Sequence, residues 1–305
     1  MRIAVTGANG LVGSRLAVLL ARKSHDVLAL GRGPQRLAAS AGATLTYASL
    51  DLADESAIAS TLRDARPEVI VHVGAMTNVD ACEKSPALAE ALNARATHAI
   101  ADAAKRADAH VVYVSTDYVF DGKAGPYAET DTPNPNGTYA KTKYQGEVAV
   151  ATVAKRWAIA RTAVVFGWPE AAQANFGSWL LGALVRIEPV KLFKDQFVSP
   201  SLADNVAEML AELAERKLEG HWHTAGATVV NRVAFGEALA ARLGISKPNI
   251  VPTLLADIAL PAPRPRSSGL RVDRAMAELT AKPLGLDAAL SKFVSAYRAT
   301  QEALK

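Results

Sequence analysis

Three glycines at intervals of three, Gly7, Gly10 and Gly13, separate a β-rich apolar run at residues 3–5 from an Ala/Leu-rich segment at 12–21. A strand that stops at such a turn and enters a helix brings unpaired backbone N–H groups and the positive end of the helix dipole to one point. The missing Cβ atoms let a pyrophosphate approach that point closely. The turn residues Gly7, Asn9, Gly10, Leu11, Val12 and Gly13 are therefore expected to bind a dinucleotide. Further strand-like runs at 27–30, 69–73, 110–115 and 157–165 are separated by helical segments, the βαβ rhythm of a parallel sheet. Val111-Val112-Tyr113-Val114 is almost continuously apolar, as a central strand covered on both faces must be. These features predict an α/β fold with a Rossmann-type doubly wound parallel sheet.

At 305 residues the chain exceeds the usual size of one domain. After Gly167 the rhythm loosens, with helices predicted near 176–186, 203–217, 233–243 and 286–302 and short extended pieces at 190–193 and 221–224. Residues 1–166 are expected to form the dinucleotide-binding domain, with 198–225 returning to it, and residues 167–197 and 226–305 to form a smaller substrate-binding lobe. The longest apolar stretch near the start, 16–21, is far short of the roughly 20 residues that span a bilayer, and the N-terminus carries no signal-peptide pattern. A single cysteine, Cys82, excludes an internal disulfide and fits a reducing cytoplasm. Basic and acidic residues, 34 and 30, are mixed along the chain, so neither nucleic acid nor a membrane is an expected partner. One local excess, Arg264, Arg266, Arg271 and Arg274 around Pro261, Pro263 and Pro265, either holds an anionic small molecule or forms a solvated loop.

The end of the second strand, where an acid would hold the ribose hydroxyls and repel a 2′-phosphate, reads Leu30-Gly31-Arg32. Asp26 begins that strand and points away. Arg32, helped by Arg36, offers a fork suited to phosphate, which favours NADPH and leaves NADH possible. Tyr139 and Lys143 share one helix face at i, i+4, in a helix expected to start just before Tyr139. A phenol of pKa near 10 must move toward neutrality to exchange a proton readily, and three units correspond to about 4 kcal/mol. A nearby ammonium and a helix N-terminus both favour the phenolate. Between 121 and 137 a long loop rich in Gly, Pro, Asn and Thr precedes this helix. His221 and His223 lack a third ligand at metal spacing and are assigned to packing, and no metal is expected.

The glycine spacing resembles that of extended short-chain dehydrogenases. The run Ser115-Thr116-Asp117-Tyr118-Val119-Phe120-Asp121-Gly122, then Pro126-Tyr127, Glu129-Thr130-Asp131, Tyr139-Ala140-Lys141-Thr142-Lys143 and Gly146-Glu147, resembles the dTDP-4-dehydrorhamnose reductase family. The similarity continues through Arg161-Thr162, Asn175-Phe176, Asp195-Gln196-Phe197 and Arg264-Pro265 with Ser268 and Leu270. The resemblance implies a catalytic set of Thr116, Tyr139 and Lys143 that reduces a nucleotide-linked 4-keto sugar with hydride from a nicotinamide. It also implies cofactor contacts from Asp51, Leu52, Gly74, Ala75 and Met76, and substrate contacts from Thr77, Val79, Asp80, Thr116, Asp117, Val164, Asn175, Phe176 and Arg264. Alternatives stay open at three positions: Asp51 and Asp80 could instead cap the helices that follow them, and the Thr116 hydroxyl could simply satisfy backbone groups. Asn93 is read as structural.

Two departures from the family pattern stand out. Arg15 occupies the place of a glutamate that links a Mg-dependent dimer, which favours metal-independent activity in a monomer or homodimer. Val164 replaces a tryptophan that lies near the sugar, which loosens the substrate assignment to other, non-nucleotide carbonyl compounds. The methionine adenosyltransferase β subunit resembles the same family, so a non-catalytic, cofactor-binding regulatory subunit is the rival expectation.

Overall fold

The computed structural model describes residues 1–37, 44–169 and 174–303. Its strands in chain order are β1 (Arg2–Thr6), β2 (Asp26–Gly31), β3 (Leu45–Ser49), β4 (Val69–His72), β5 (His110–Thr116), β6 (Arg156–Thr162), β7 (Val165–Phe166), β8 (Val190–Phe193), β9 (Phe197–Val198), β10 (Ser201–Leu202), β11 (Gly220–His223), β12 (Val230–Asn231) and β13 (Ile250–Thr253). The helices are α1 (Leu11–Arg22), α2 (Glu55–Ala65), α3 (Val79–Lys84), α4 (Pro86–Glu90), α5 (Ala96–Ala107), α6 (Thr138–Val153), α7 (Phe176–Val185), α8 (Ala203–Glu215), α9 (Arg232–Leu243), α10 (Asp273–Glu278) and α11 (Leu286–Ala303).

A seven-stranded parallel sheet in the order β3-β2-β1-β4-β5-β6-β11 forms the centre. The chain winds from β1 through β2 to β3 on one side and from β4 outward on the other. The order therefore reverses between β1 and β4, and the crevice beyond their carboxyl ends is where α/β sheets of this kind bind ligands. Side chains alternate across the sheet. Ile3, Val5, Val27, Val69, Val71 and Val112 pack on one face with α1 and α8, and Ala4, Ile70, Val111, Tyr113 and Ile159 pack on the other with α2 and α5. Every residue of β5 is buried, as the apolar run at 111–114 requires.

The expected strand over 157–165 is interrupted. Val164 adopts φ +42, a left-handed conformation that is strained for a β-branched residue, and the chain leaves the sheet there to pair β7 with β10. Beyond this break a second apolar core gathers Phe166, Leu180, Leu184, Leu192, Phe235, Leu290 and Phe293 from α7, α9, α11 and the β8/β13 pair. A small third cluster, with Val119, Phe120, Tyr127, Ala163, Ala225 and Leu270, fastens the 118–137 loop to the segment around 270.

Candidate active site

The turn after β1 is so close to β4 that only glycine fits. Gly7 has φ +69, and a Cβ there would lie 2.6 Å from the Gly74 backbone nitrogen; on Gly13 it would lie 2.2 Å from the Gly7 carbonyl oxygen. The turn is thus a backbone cradle at the N-terminus of α1, open to a pyrophosphate. Asn9 organises the neighbouring loop. Its Nδ2 donates to the carbonyls of Arg32 and Pro34 and to Tyr47 Oη, each within 3.0 Å, while its Oδ1 accepts from the Arg36 N–H at 3.0 Å. Tyr47 donates in turn to the Gly31 and Gly33 carbonyls. Arg32 and Arg36 are held by this frame with exposed side chains, beside the position where the cofactor ribose belongs. Leu52 packs against the bare Cα of Gly74. Asp51 does not cap α2; it accepts from the Ala53 N–H at 2.9 Å, and Asp54 is the cap, accepting from the Ala57 N–H.

The helix bearing the tyrosine starts at Thr138, directly before Tyr139. Gly137 turns the chain at φ +88, and the Thr138 N–H donates to Glu83 Oε2 at 2.9 Å, so a carboxylate on α3 anchors the first turn of α6. One turn on, Lys143 is buried, with Nζ donating to the Val114 carbonyl at 2.7 Å and lying 4.1 Å from the centre of the Tyr113 ring. Burial pulls its pKa down to about 7, against the Glu147 carboxylate, which holds it up. Burial raises the Tyr139 phenol well above its ordinary value, and the nearby Thr116 hydroxyl lowers it. The ammonium of Lys143 is directed at β5 rather than at the phenol. The Thr116 hydroxyl accepts from the Tyr118 N–H at 3.2 Å and donates to Asp117 Oδ1 at 3.1 Å, so it satisfies a backbone group at the strand end.

Asn93, in a π-helical turn between α4 and α5, grips Met76 from both sides. Oδ1 accepts from its N–H at 2.8 Å, and Nδ2 donates to its carbonyl at 3.1 Å and to Thr142 on α6 at 3.2 Å. The Gly74-Ala75-Met76 segment is thereby fixed to the helix that carries Tyr139. The buried Glu147 binds Arg161 with two hydrogen bonds, 3.0 and 2.8 Å, and Arg161 stacks over Phe120 at 5.1 Å. That pair ties α6 to β6 and to the loop above them.

Residues 1–299 match the RmlD substrate binding domain family. The chain belongs to that family. It is 35% identical to a dTDP-4-dehydrorhamnose reductase of Burkholderia thailandensis, over 88% of this chain and 90% of that one. It is 32% identical to the probable low-salt glycan biosynthesis reductase Agl14 of Haloferax volcanii, over 90% and 91%. A solved dTDP-4-dehydrorhamnose reductase from Bacillus anthracis, in complex with NADP, superposes with a TM-score of 0.85 at 25% identity and covers 97% of this chain and 99% of that one. The resemblance carried by the Ser115–Gly122 run is borne out.

Asp80 does not cap α3. Asn78 does, accepting from the Ala81 N–H, while Asp80 accepts from the Ala262 N–H and binds Arg264 at 2.9 Å. The arginine excess around residue 264 is not an open basic patch: Arg266 meets Asp195, Arg271 meets Asp273, and Arg274 meets Glu278 and stacks on Trp222. Asp117 is buried, accepts from Ser268 Oγ at 2.5 Å, and is pushed up to about 6, chiefly by that burial. Asn175 caps α7 and donates to the Gly167 carbonyl at 2.8 Å. Phe176 lies under Arg232, whose Cζ is 4.5 Å from the ring centre. Thr77 is exposed and Val79 half-buried at the start of α3, and Val164 is half-buried at the strained break after β6. Arg15 donates to the carbonyls of Leu11 and Trp168 and lies 3.1 Å from Asp204, so it joins α1 to α8. Cys82 is buried, and burial pushes its thiol up to about 11. Sequence reasoning missed Arg232, Glu83 and Tyr47, whose partners lie far away along the chain.

Proposed function

We propose that this protein uses NADPH to reduce the 4-keto group of a nucleotide-linked sugar, with Thr116, Tyr139 and Lys143 as its catalytic residues. The observation that carries the reading is Tyr139 one helical turn before the buried Lys143, whose Nζ is held by the Val114 carbonyl on the strand that ends in Thr116. The cradle of Gly7, Gly10 and Gly13, with Leu11 and Val12 at the head of α1, fits the cofactor diphosphate. Arg32 and Arg36 fit its 2′-phosphate, Asp51 and Leu52 its adenine side, and the 74–76 segment its nicotinamide side. When bound, NADPH supplies the hydride. Burial keeps the Tyr139 phenol protonated at neutral pH, the form a general acid needs, and proton delivery to the developing alkoxide is worth about 10²–10⁴ in rate. Thr116 turns its single hydroxyl proton from Asp117 to the same oxygen. Lys143, held near its titration point, adds positive charge beneath the site.

Thr77, Val79, Asp80, Asp117, Val164, Asn175, Phe176 and Arg264 belong to the sugar-nucleotide side of the cleft. Residues 1–166 with 198–225 act as the cofactor domain, and 167–197 with 226–305 as the substrate lobe. No helix among the described residues is long and apolar enough to cross a membrane; we place the protein in the cytoplasm as a monomer or homodimer. NADPH oxidation followed with a panel of nucleotide-linked keto sugars tests the reading. Turnover of at least one of them supports it. NADPH binding without turnover of any would favour the regulatory-subunit alternative, and turnover confined to non-nucleotide carbonyl compounds would remove the sugar nucleotide.

A further inference from the structure

Arg232, the first residue of α9, is the anomalous cation of the cleft. A guanidinium has five N–H groups to satisfy. Among the described residues this one spends a single N–H, from Nε to Gln196 Oε1 at 3.1 Å. Its Nη1 is fully enclosed without an acceptor, and it has no salt bridge among the described residues, whereas Arg161 and Arg264 each hold a carboxylate. Burial weakens its hold on its proton, Tyr118 and Asp117 oppose that, and Arg264 adds a smaller repulsion. Asp117 is already engaged by Ser268 and Thr116. Arg232 is half-buried, but its enclosed Nη1 has exchanged water for no acceptor, a cost that an anion offsets better than neutral sugar hydroxyls. The cofactor phosphates belong at the other end of the crevice, on the turn between β1 and α1 and beside Arg32. The missing anion therefore belongs to the substrate.

We propose that Arg232 receives the diphosphate of the nucleotide-linked substrate, with Phe176 and Gln196 orienting its fork. The inference rests on the sugar-nucleotide reading and adds the residue that would enforce it. The planar fork suits two phosphate oxygens at once. Phe176 supports its face, and Gln196 fixes its edge through Nε and leaves both Nη groups for the anion. Arg264, tied to Asp80, is the less available of the two cations.

The test is calorimetric titration of the full chain, saturated with NADPH, with dTDP, UDP, GDP and CDP in turn, for the native protein, Arg232→Gln, Arg232→Lys and Gln196→Ala. The native chain should bind at least one nucleoside diphosphate. Arg232→Gln should lose ~10–100-fold of that affinity, as expected for a hydrogen-bonded charged contact. Arg232→Lys should recover part of the loss, Gln196→Ala should lose less than Arg232→Gln, and NADPH affinity should be unchanged in all. Arg232→Gln binding the same nucleoside diphosphate within twofold of native would overturn the role of Arg232 and leave the sugar-nucleotide reading standing. No binding of any of the four by the native chain would overturn both. Should Arg232→Gln fail to fold, Arg232→Lys and Gln196→Ala decide: native affinity in both overturns the inference, and graded losses support it.

Discussion

The two sides of the cleft are held together by different means. On the cofactor side a short contiguous stretch does most of the work, as Gly7, Gly10 and Gly13 let backbone meet backbone and Asn9 shapes the adjoining loop through four hydrogen bonds. On the proposed substrate side Asp80, Asp117, Gln196 and Arg232 come from separate segments and are joined to one another or to Arg264 and Ser268 by side-chain hydrogen bonds and an ion pair. Backbone fit leaves little freedom to vary. Side-chain links between distant segments can be exchanged individually.

The sharpest way to break this contrast is to cut the buried charge pair that ties α6 to β6 and to the loop above them. Glu147→Gln leaves Arg161 unpaired beneath the loop, and should lower stability by about 3–5 kcal/mol in chemical denaturation. A loss below about 1 kcal/mol would mean that side-chain links do not hold these elements. A smaller effect concerns Asp117. Its folded pKa is raised from 3.8 to about 6, so its contribution to stability is complete below the unfolded value and is lost as pH rises through about 6. Asp117→Asn removes that loss. Relative to native, it should gain up to about 3 kcal/mol between pH 4 and 7. Parallel stability curves for the two proteins across that range would show that Ser268 and Thr116 already compensate the charge. The smallest effect lies on the cofactor side, where Arg32→Ala should weaken NADPH binding by about 1.5–3 kcal/mol and leave NADH binding nearly unchanged. Equal losses for both cofactors would show that the exposed arginine does not read the 2′-phosphate.

What could be read from the sequence follows the same divide. The glycine turn, the buried strand β5 and the start of α6 at Tyr139 were legible because each depends on neighbours within a few residues. Helix caps were not: Asp54 and Asn78 cap α2 and α3, where Asp51 and Asp80 were also candidates, because a shift of two or three residues decides which side chain meets the free N–H groups. The break at Val164 was hidden inside an apolar run that reads as continuous strand. Arg232 carried no local signal at all. Its meaning comes from Gln196, thirty-six positions earlier, from Phe176, and from the lack of a carboxylate partner among the described residues.

The central claim, that the Thr116–Tyr139–Lys143 arrangement performs the proton transfer of a ketone reduction, is tested most directly at the phenol. Tyr139→Phe keeps the ring on α6 and removes the transferable proton. Turnover of the best keto-sugar substrate should fall about 10²–10⁴-fold, with NADPH affinity within a few-fold of native. Retention of more than about half of the native turnover, far outside the range of general-acid catalysis, would show that another group protonates the substrate.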